Sequence, residues 1–283
     1  MNPLYYEDMI RQALNEDIGF QDLTTETIIP EDHFSAARIS AKAEGIIAGL
    51  DIAKKVFTML DEKVDFRASV QDGERVTSGQ AVAVIEGRTR ALLSGERVAL
   101  NLLQRLSGIA TETNKAVECI KDFDCHIVDT RKTMPGLRGL DKNAVKTGGG
   151  YNHRFGLFDA ILIKDNHIAA AGGITEAVGL VRAKVGHMVK VEVETETIEQ
   201  VEEALQNPVD IIMLDNMSTA LMRQAVQLID KRVLVEASGG ITLDSLVEIA
   251  STGVDLISLG WLTHSVKALD LSLNIVSGEK SNV

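Results

Sequence analysis

The spacing of apolar and polar positions changes once along the chain, near residue 120. Before that point strand-like runs are mixed with helical spacing, which predicts a domain of mixed α and β structure. Helices are expected over residues 5–16 and 49–61, and strands over residues 36–41 and 64–70.

A longer helical pattern over residues 88–119 predicts one or two long helices, with Gly108 as a break between them. Asp72-Gly73 stands between two strand-like runs and is a strong hairpin signal. Residues 72–85 resemble the turn and strand of small lipoyl-type barrels. They lack the modifiable lysine that such domains carry at the turn, so we interpret this stretch as structural.

Beyond residue 120, short β-branched runs alternate with helical spacing. This alternation indicates βα units and a parallel sheet, and six or seven units with short connections favour a barrel over an open sheet. The fold class is therefore α/β. Strands are predicted over residues 126–129, 160–163, 189–194, 210–214, 233–236 and 254–259, and helices over residues 174–185, 198–206, 219–230 and 243–251.

Polar residues stand at the end of every predicted barrel strand, where such barrels carry their chemistry. Turn formation explains Gly, Asn and Asp at these places, but it does not explain Arg, Lys and Glu. We therefore favour a binding site over a set of turns. The candidates are Thr130, Arg131, Lys132, Lys164, Glu194, Asp215, Ser238, Gly239, Gly240, Ser258, Leu259 and Gly260.

The charge is unevenly distributed. The net charge of −12 argues against general nucleic-acid binding, which needs a basic surface. Residues 128–167 nevertheless carry seven Arg and Lys against four Asp. Cations gathered in one segment of an acidic protein indicate an anionic ligand, with a solvated basic loop as the alternative.

The candidates divide by chemistry. The glycine-rich backbone at residues 238–240 and near Gly260 suits a phosphate. Glu194 and Asp215 suit ribose hydroxyls or Mg²⁺ bridged to a ligand phosphate. The remaining candidates suit carboxylates or pyrophosphate, and these are the cations Arg131, Lys132, Arg154 and Lys164.

Several residues leave both structural and functional interpretations open. A ligand contact and a loop role are equally supported for His153. For Lys190 and Glu192, which share a strand face with Glu194, a buried ion pair is as plausible as a function. Four histidines have no chemical companions in the sequence and are interpreted as structural: His33, His126, His187 and His264. No His/Cys spacing indicates zinc.

Other features indicate a cytoplasmic protein. No apolar run is long enough to span a membrane, and the first residues show no signal-peptide pattern. The two cysteines, Cys119 and Cys125, are too few for a disulfide framework and are expected to be free thiols.

Three motifs resemble the signature of the quinolinate phosphoribosyltransferase family. They are Asp129-Thr-Arg-Lys-Thr-Met-Pro-Gly136, Lys146-Thr-Gly-Gly-Gly-Tyr-Asn-His-Arg154 and Ile163-Lys-Asp-Asn-His167. Further similar blocks cover nearly the whole chain in order, including residues 16–24, 94–110, 192–194, 214–216, 236–240 and 259–260.

The resemblance implies two domains: an N-terminal α/β domain over residues 1–108, joined by the tail 268–283, and an incomplete α/β barrel over residues 109–267. It implies phosphoribosyl transfer to quinolinate, with Mg²⁺ as cofactor. It also implies a homodimer or homohexamer in which Arg97 reaches the neighbouring subunit's site. Around the substrates it places Arg131, Lys132, His153, Arg154 and Lys164, with Glu194 and Asp215 on ribose or magnesium.

Two alternatives remain at this point. One is a paralogous phosphoribosyltransferase with another anionic acceptor, such as the homologue associated with molybdenum transport. The other is a non-catalytic phosphosugar-binding protein on a degenerate barrel. The presence of every expected cation favours the quinolinate enzyme over both.

Overall fold

The computed structural model of the chain describes Asn2 and residues 5–276. By their internal contacts these residues form two compact units. Unit 1 contains residues up to Asn114, Met134–Gly149, and residues from Ser265 onward, and unit 2 contains Lys115–Thr133 and Gly150–His264. The division predicted from the sequence differs most at Met134–Gly149, which it assigns to the barrel.

Unit 1 combines helices with a small antiparallel sheet. Its helices are α1 (Glu7–Ile18), α2 (Leu23–Ile28), α3 (Leu50–Leu60), the long α4 (Thr89–Cys119, which continues into unit 2) and α5 (Arg138–Thr147). Its strands are β1 (Phe34–Ala41), β2 (Gly45–Ile46), β3 (Asp65–Ala68), β4 (Arg75–Val76), β5 (Ala81–Arg88) and β12 (Leu271–Val276).

Four of these strands form one sheet in the order β12-β1-β5-β3, and β2 pairs with β4. The pairing of Ala36 with Val276 and of Ala41 with Leu271 places the last described strand beside β1. The tail is expected to return to the first domain, and β12 of that tail pairs with β1 of unit 1. Residues 277–283 lie outside the described residues.

The tight hairpin turn predicted at Asp72-Gly73 is not formed, because β4 pairs with β2. The strand-like run before it nevertheless pairs antiparallel, as β3, with β5, across a longer loop that contains Asp72. The Asp72 carboxylate instead accepts the backbone N–H groups of Gly49 and Leu50 at 3.0 and 3.1 Å. It thus satisfies free donors at the start of α3. An Asp-Gly pair is compatible with either use, and only the distant partner decides.

The break predicted at Gly108 is also wrong, since α4 continues through it. A β-carbon at this position would lie 2.3 Å from the carbonyl oxygen of Lys267. Gly108 therefore permits close packing of the helix against backbone that is far away in sequence.

Unit 2 contains six short strands, and every strand but the first is followed by a helix of the same unit. The strands are β6 (His126–Val128), β7 (Ile161–Ile163), β8 (Val191–Thr195), β9 (Ile211–Asp215), β10 (Leu234–Ser238) and β11 (Leu256–Ser258). The helices are α6 (Asp165–Ala171), α7 (Ile174–Arg182), α8 (Ile198–Leu205), α9 (Thr219–Ile229), α10 (Leu246–Ala250) and α11 (Trp261–His264).

These strands are parallel and lie in the order β6-β11-β10-β9-β8-β7. In the described chain β6 and β7 form the two edges and do not pair, so the expected incomplete α/β barrel is confirmed. The helix after β6 is missing from unit 2, because the chain leaves it at Met134 and returns at Gly150.

Alternation along the strands separates packing from chemistry. In β8, Val191 and Val193 belong to the apolar core, whereas Glu192 and Glu194 occupy the intervening positions. Successive side chains of a strand point to opposite faces, so one face packs under the helices. The other face is left polar, and this face carries the candidate site.

Candidate active site

A cavity of about 800 Å³ opens at the carboxyl ends of the unit 2 strands. All candidate residues from the sequence except Arg97 line it. They are Thr130, Arg131, Lys132, His153, Arg154, Lys164, Glu194, Asp215, Ser238, Gly239, Gly240, Ser258, Leu259 and Gly260. Carboxyl ends of parallel strands meet at one edge of a sheet, which explains why residues so distant in sequence converge.

Arg97 does not line this cavity in the described chain. It lies in α4, its side chain is 61% exposed, and its guanidinium is 3.7 Å from the Glu96 carboxylate. A role for Arg97 in a neighbouring subunit therefore stays a prediction.

The cavity wall includes residues that the sequence interpretation missed. Glu236, Asn216, Trp261 and His264 are among them. Only Glu236 carries a usable signal, since it alternates with Val235 and Ala237 of the apolar core and precedes Ser238 by two. His264, interpreted as structural from the sequence, closes one side of the cavity beside Gly260, 3.2 Å from a β-carbon built there.

A short segment, Asn152 to Arg154, is tied to the barrel by a buried carboxylate. Asp129 is fully buried, and it accepts the Asn152 side-chain amide at 2.7 Å and the His153 backbone N–H at 2.9 Å. The Arg154 guanidinium donates to the carbonyl of Ala160 at 3.1 Å. The side chains of His153 and Arg154 thus enter the cavity from an anchored backbone.

Beneath His153 lie two buried carboxyl groups. Its Nε2 atom is 3.0 Å from Glu192 Oε2 and 3.7 Å from Glu236 Oε2. Burial, followed by the charge of Glu192, raises the pKa of Glu236 to about 8, so this group is largely protonated at neutral pH. Of the two residues for which the sequence leaves an ion pair and a function open, Lys190 pairs with Asp210 and Glu192 lies against His153.

Arg154 is partly withdrawn from solvent. Burial and the nearby charge of Arg131 lower the pKa of Arg154, while Glu192 and Asp159 act in the opposite direction. An arginine keeps its charge through such a shift. A half-buried, permanent cation beside a second one is a strong binder of carboxylates.

Opposite this segment, Lys164 and Glu194 form an ion pair, with Nζ 2.9 Å from Oε2. The nearby Asp215 carboxylate accepts the side-chain amide of Asn216 at 2.6 Å. Both carboxylates lie on the cavity wall, and oxygen ligands of this kind fit Mg²⁺. Binding a metal at Glu194 requires Lys164 to move to another anion, such as a phosphate.

The glycine turn after β10 is built for close approach of backbone. Gly239 has φ of +91°, and a β-carbon there would lie 2.3 Å from the Asn216 side-chain oxygen. Gly240 also has positive φ, at +60°. Such a turn leaves N–H groups free of side-chain cover, which is the arrangement that binds phosphate.

Lys132 is held from both sides of its backbone. Its N–H donates to the Thr130 hydroxyl at 3.0 Å, and its carbonyl accepts from the Thr263 hydroxyl at 2.9 Å. Its side chain passes 3.0 Å from a β-carbon built on Gly260. The absence of a side chain at Gly260 therefore leaves room for the Lys132 side chain.

The charge balance of the cavity is the reverse of that of the protein. Its wall carries three carboxyl groups, of which Glu236 is held protonated. Against the two that remain stand Arg131, Lys132, Arg154 and Lys164. Fold and cavity together define the class, an α/β-barrel protein that binds phosphorylated and strongly anionic small molecules.

Comparison with known proteins narrows this class. Residues 22–107 match the family described as quinolinate phosphoribosyl transferase, N-terminal domain, and residues 109–274 match the corresponding C-terminal domain. The chain belongs to the quinolinate phosphoribosyltransferase family.

Curated relatives and solved structures agree with this assignment. A probable nicotinate-nucleotide pyrophosphorylase (carboxylating) of Bacillus subtilis is 51% identical, over 99% of this chain and 97% of its own. Quinolinate phosphoribosyltransferase (decarboxylating) 1b of Nicotiana tabacum is 42% identical, over 97% and 83%. The crystal structure of NadC from Streptococcus pyogenes is 44% identical with a TM-score of 0.94, over 98% of this chain and 99% of that one.

Proposed function

We propose that this protein transfers the phosphoribosyl group of 5-phosphoribosyl 1-pyrophosphate to quinolinate. The products are nicotinate mononucleotide, pyrophosphate and carbon dioxide, a step of NAD biosynthesis. One observation carries the proposal: four cations, two carboxylates and a glycine turn converge on one cavity in a protein of net charge −12. Two anionic substrates need this combination.

Each part of the cavity suits one part of the substrates. Arg131, His153 and Arg154 suit the two quinolinate carboxylates, which Arg can bind with two parallel hydrogen bonds. The glycine turn at residues 238–240 suits the 5-phosphate. Glu194 and Asp215 suit the ribose hydroxyls, and Lys164 suits the pyrophosphate.

The reaction needs positioning and charge stabilisation more than a protein nucleophile. The pyridine nitrogen attacks C1 of the ribose while pyrophosphate leaves, and C1 gains oxocarbenium character. Lys132 and Lys164 supply preorganised positive charge at the cavity wall for the departing anion. Mg²⁺, for which Glu194 and Asp215 are suitable ligands, would neutralise part of the pyrophosphate charge.

Decarboxylation follows from the charge of the product ring. Once the nitrogen is bonded to C1 it is cationic and accepts electron density from the bond to the 2-carboxylate. Carbon dioxide leaves, and C2 takes up a proton in its place. Lys132 is proposed to stabilise the negative charge that develops at C2.

We further propose that the protein works in the cytoplasm as a homodimer or homohexamer, with Arg97 reaching the site of a neighbouring subunit. Large apolar side chains exposed in unit 1, including Phe20 and Phe34, support assembly. Both cysteines are free thiols, and no helix in the described chain is long and apolar enough to cross a membrane.

A direct assay tests the proposed reaction. The protein is mixed with quinolinate, Mg²⁺ and the phosphoribosyl donor, and carbon dioxide and pyrophosphate are measured together. Both products should appear in equal amounts. Pyrophosphate formed only with a different anionic acceptor would favour a paralogous phosphoribosyltransferase, and binding without turnover would favour a non-catalytic barrel.

Subunit mixing tests the role of Arg97. Arg97→Ala and Lys164→Ala subunits should each be inactive alone, because each lacks one cation of every site. Mixing them should restore part of the activity if a site combines residues of two subunits. No recovery, with subunit exchange shown by native mass spectrometry, would refute a shared site.

A further inference from the structure

An acidic layer lies inside the barrel, partly in the cavity wall and partly beneath it. It consists of Asp129, directly after β6, Glu192 of β8 and Glu236 of β10, which are 0%, 3% and 1% exposed. These positions belong to alternate strands in the order of the sheet. Side chains from alternate strands form layers inside such barrels, and these layers are usually apolar. Three buried acids in one layer therefore require an explanation.

Two members of the layer are incompletely bonded. Among the described residues, Glu192 Oε1 and Glu236 Oε1 are buried without a hydrogen-bond partner. A buried polar atom of this kind costs stability, and apolar residues of similar volume would avoid the cost. The presence of two such carboxyl groups therefore indicates a role other than packing.

Several bonds of the layer converge on residues 152–154. Asp129 binds the backbone there, and Glu192 lies 3.0 Å from the Nε2 atom of His153. The other ring nitrogen, Nδ1, is 2.7 Å from the Arg154 backbone N–H and accepts its hydrogen. In the neutral ring the proton is therefore on Nε2, where it is donated to Glu192. The ring is fixed at both nitrogens.

We propose that Glu192 and Glu236 are positioning residues that hold the His153 ring, and through it the Arg154 backbone, in the orientation needed to bind the anionic acceptor. The inference rests on the proposed function for the identity of that acceptor. Neither carboxyl group reacts. Glu192 accepts a hydrogen bond from the imidazole N–H. Glu236 lies beside Glu192 in its protonated form, so it adds no second negative charge.

The groups around Glu236 explain how a second charge is avoided. It faces Glu192 on β8, His153 before β7, Asp129 after β6 and the Ser258 hydroxyl on β11. Burial and the charge of Glu192 raise the pKa of Glu236 to about 8, with His153 and Ser258 acting against them and Asp129 adding to them. Above that pH the ionised carboxylate would repel an anionic acceptor.

Steady-state kinetics of Glu192→Gln and Glu236→Gln test the proposal. Glu192→Gln should raise the KM for quinolinate about tenfold, because it removes the charge that strengthens the hydrogen bond from His153, and leave the KM for the phosphoribosyl donor nearly unchanged. The unmodified protein should show a rise in quinolinate KM between about pH 7 and about pH 9.5, and Glu236→Gln should lack this rise. Glu196→Gln, on the exposed side of the same strand end, is the control.

A spectroscopic measurement keeps the test independent of turnover. Infrared difference spectra should show a protonated carboxyl band that titrates at about pH 8, disappears in Glu236→Gln and titrates at lower pH in Glu192→Gln. These results would stand even if quinolinate were not the substrate, whereas failure of the proposed function would appear only as absent turnover.

Three results would overturn the proposal. Equal rises in both KM values would indicate a merely structural role, and an unchanged alkaline profile in Glu236→Gln would remove the role of that residue. The third concerns metal, because ligand atoms of His153, Glu192 and Glu236 lie within 4.8 Å of one another. Stoichiometric metal in the purified protein, lost in both Gln variants, would replace proton sharing with a metal site. If Glu192→Gln fails to fold, the isosteric Glu236→Gln profile decides.

Discussion

The amino end of the parallel sheet and the side of the sheet that faces the cavity differ in how their acids are bonded. At the amino end Asp210, which precedes β9, is bonded by Arg182 at 2.7 Å, by Lys190 at 2.8 Å and by the Val191 N–H at 2.8 Å. On the side of the sheet that faces the cavity, Glu192 of β8 and Glu236 of β10 each keep one buried oxygen without a partner among the described residues.

The difference separates structural from functional charge. Acids and bases at the amino end satisfy one another, so they stabilise the sheet and leave little for a ligand. At the carboxyl end cations outnumber the ionised acids, and the excess is balanced only when an anion binds. A group of charged residues therefore points to a binding site mainly when its positive and negative charges do not balance.

The largest expected effect is the loss of Lys132 at the cavity, with the loss of Lys190 at the amino end of the sheet as its comparison. Lys132→Ala should lower kcat by two orders of magnitude or more, since a well-placed charge-stabilising group contributes about 3 kcal/mol. Lys190→Ala, which removes an exposed partner of Asp210, should leave kcat close to that of the unmodified protein. Turnover measured beside circular dichroism checks both. A folded Lys132→Ala protein with normal kcat would contradict the assigned site.

A smaller effect is expected at the glycine turn. Gly239→Ala forces a β-carbon against Asn216 at positive φ and should raise the KM for the phosphoribosyl donor several-fold, at a cost of about 1–3 kcal/mol. Gly172→Ala has φ of +98° with nothing within 4 Å of the added carbon. It should show the strain alone, as lower stability with unchanged KM. Similar KM values in the two variants would argue against phosphate binding at this turn.

The smallest expected effect is on stability at the amino end. Burial opposes it, but bonds from Lys190, Val191 and Arg182 lower the pKa of Asp210 to about 2. A lowered pKa in the folded state stabilises the protein above the unfolded value of about 4, and this contribution is lost as the pH falls toward 2.

Asp210→Asn should therefore lower the free energy of unfolding by about 1 kcal/mol at neutral pH, allowing for solvent screening. Urea unfolding at about pH 7 and about pH 3 should show the difference shrinking at the lower pH. Asp122→Asn, at an exposed loop position, is the matched control. A difference that is constant with pH would mean that the amide alters packing and not charge.

The sequence predicts the barrel well because its signals are local. Each β-branched run from residue 126 onward becomes a strand, and the candidate residues at its carboxyl end line the cavity. What fails depends on partners that are distant in sequence. Asp72 caps a helix that begins 22 residues earlier, Gly108 accommodates the backbone of Lys267, and Glu236 gains its importance only from Glu192 and His153.

The pairing of β6 with β11 sets a condition on how the protein is made. His126 pairs with Leu256, and Ala36 of unit 1 pairs with Val276. Both sheets therefore remain incomplete until β11 and β12 have left the ribosome. Pairings this distant form slowly, because the chain entropy is lost before the contacts are gained. During synthesis β6 and the side of β1 that later pairs with β12 are edges open to aggregation. A chain without β11 and β12 would complete neither sheet and would lack the cavity wall at residues 258–260.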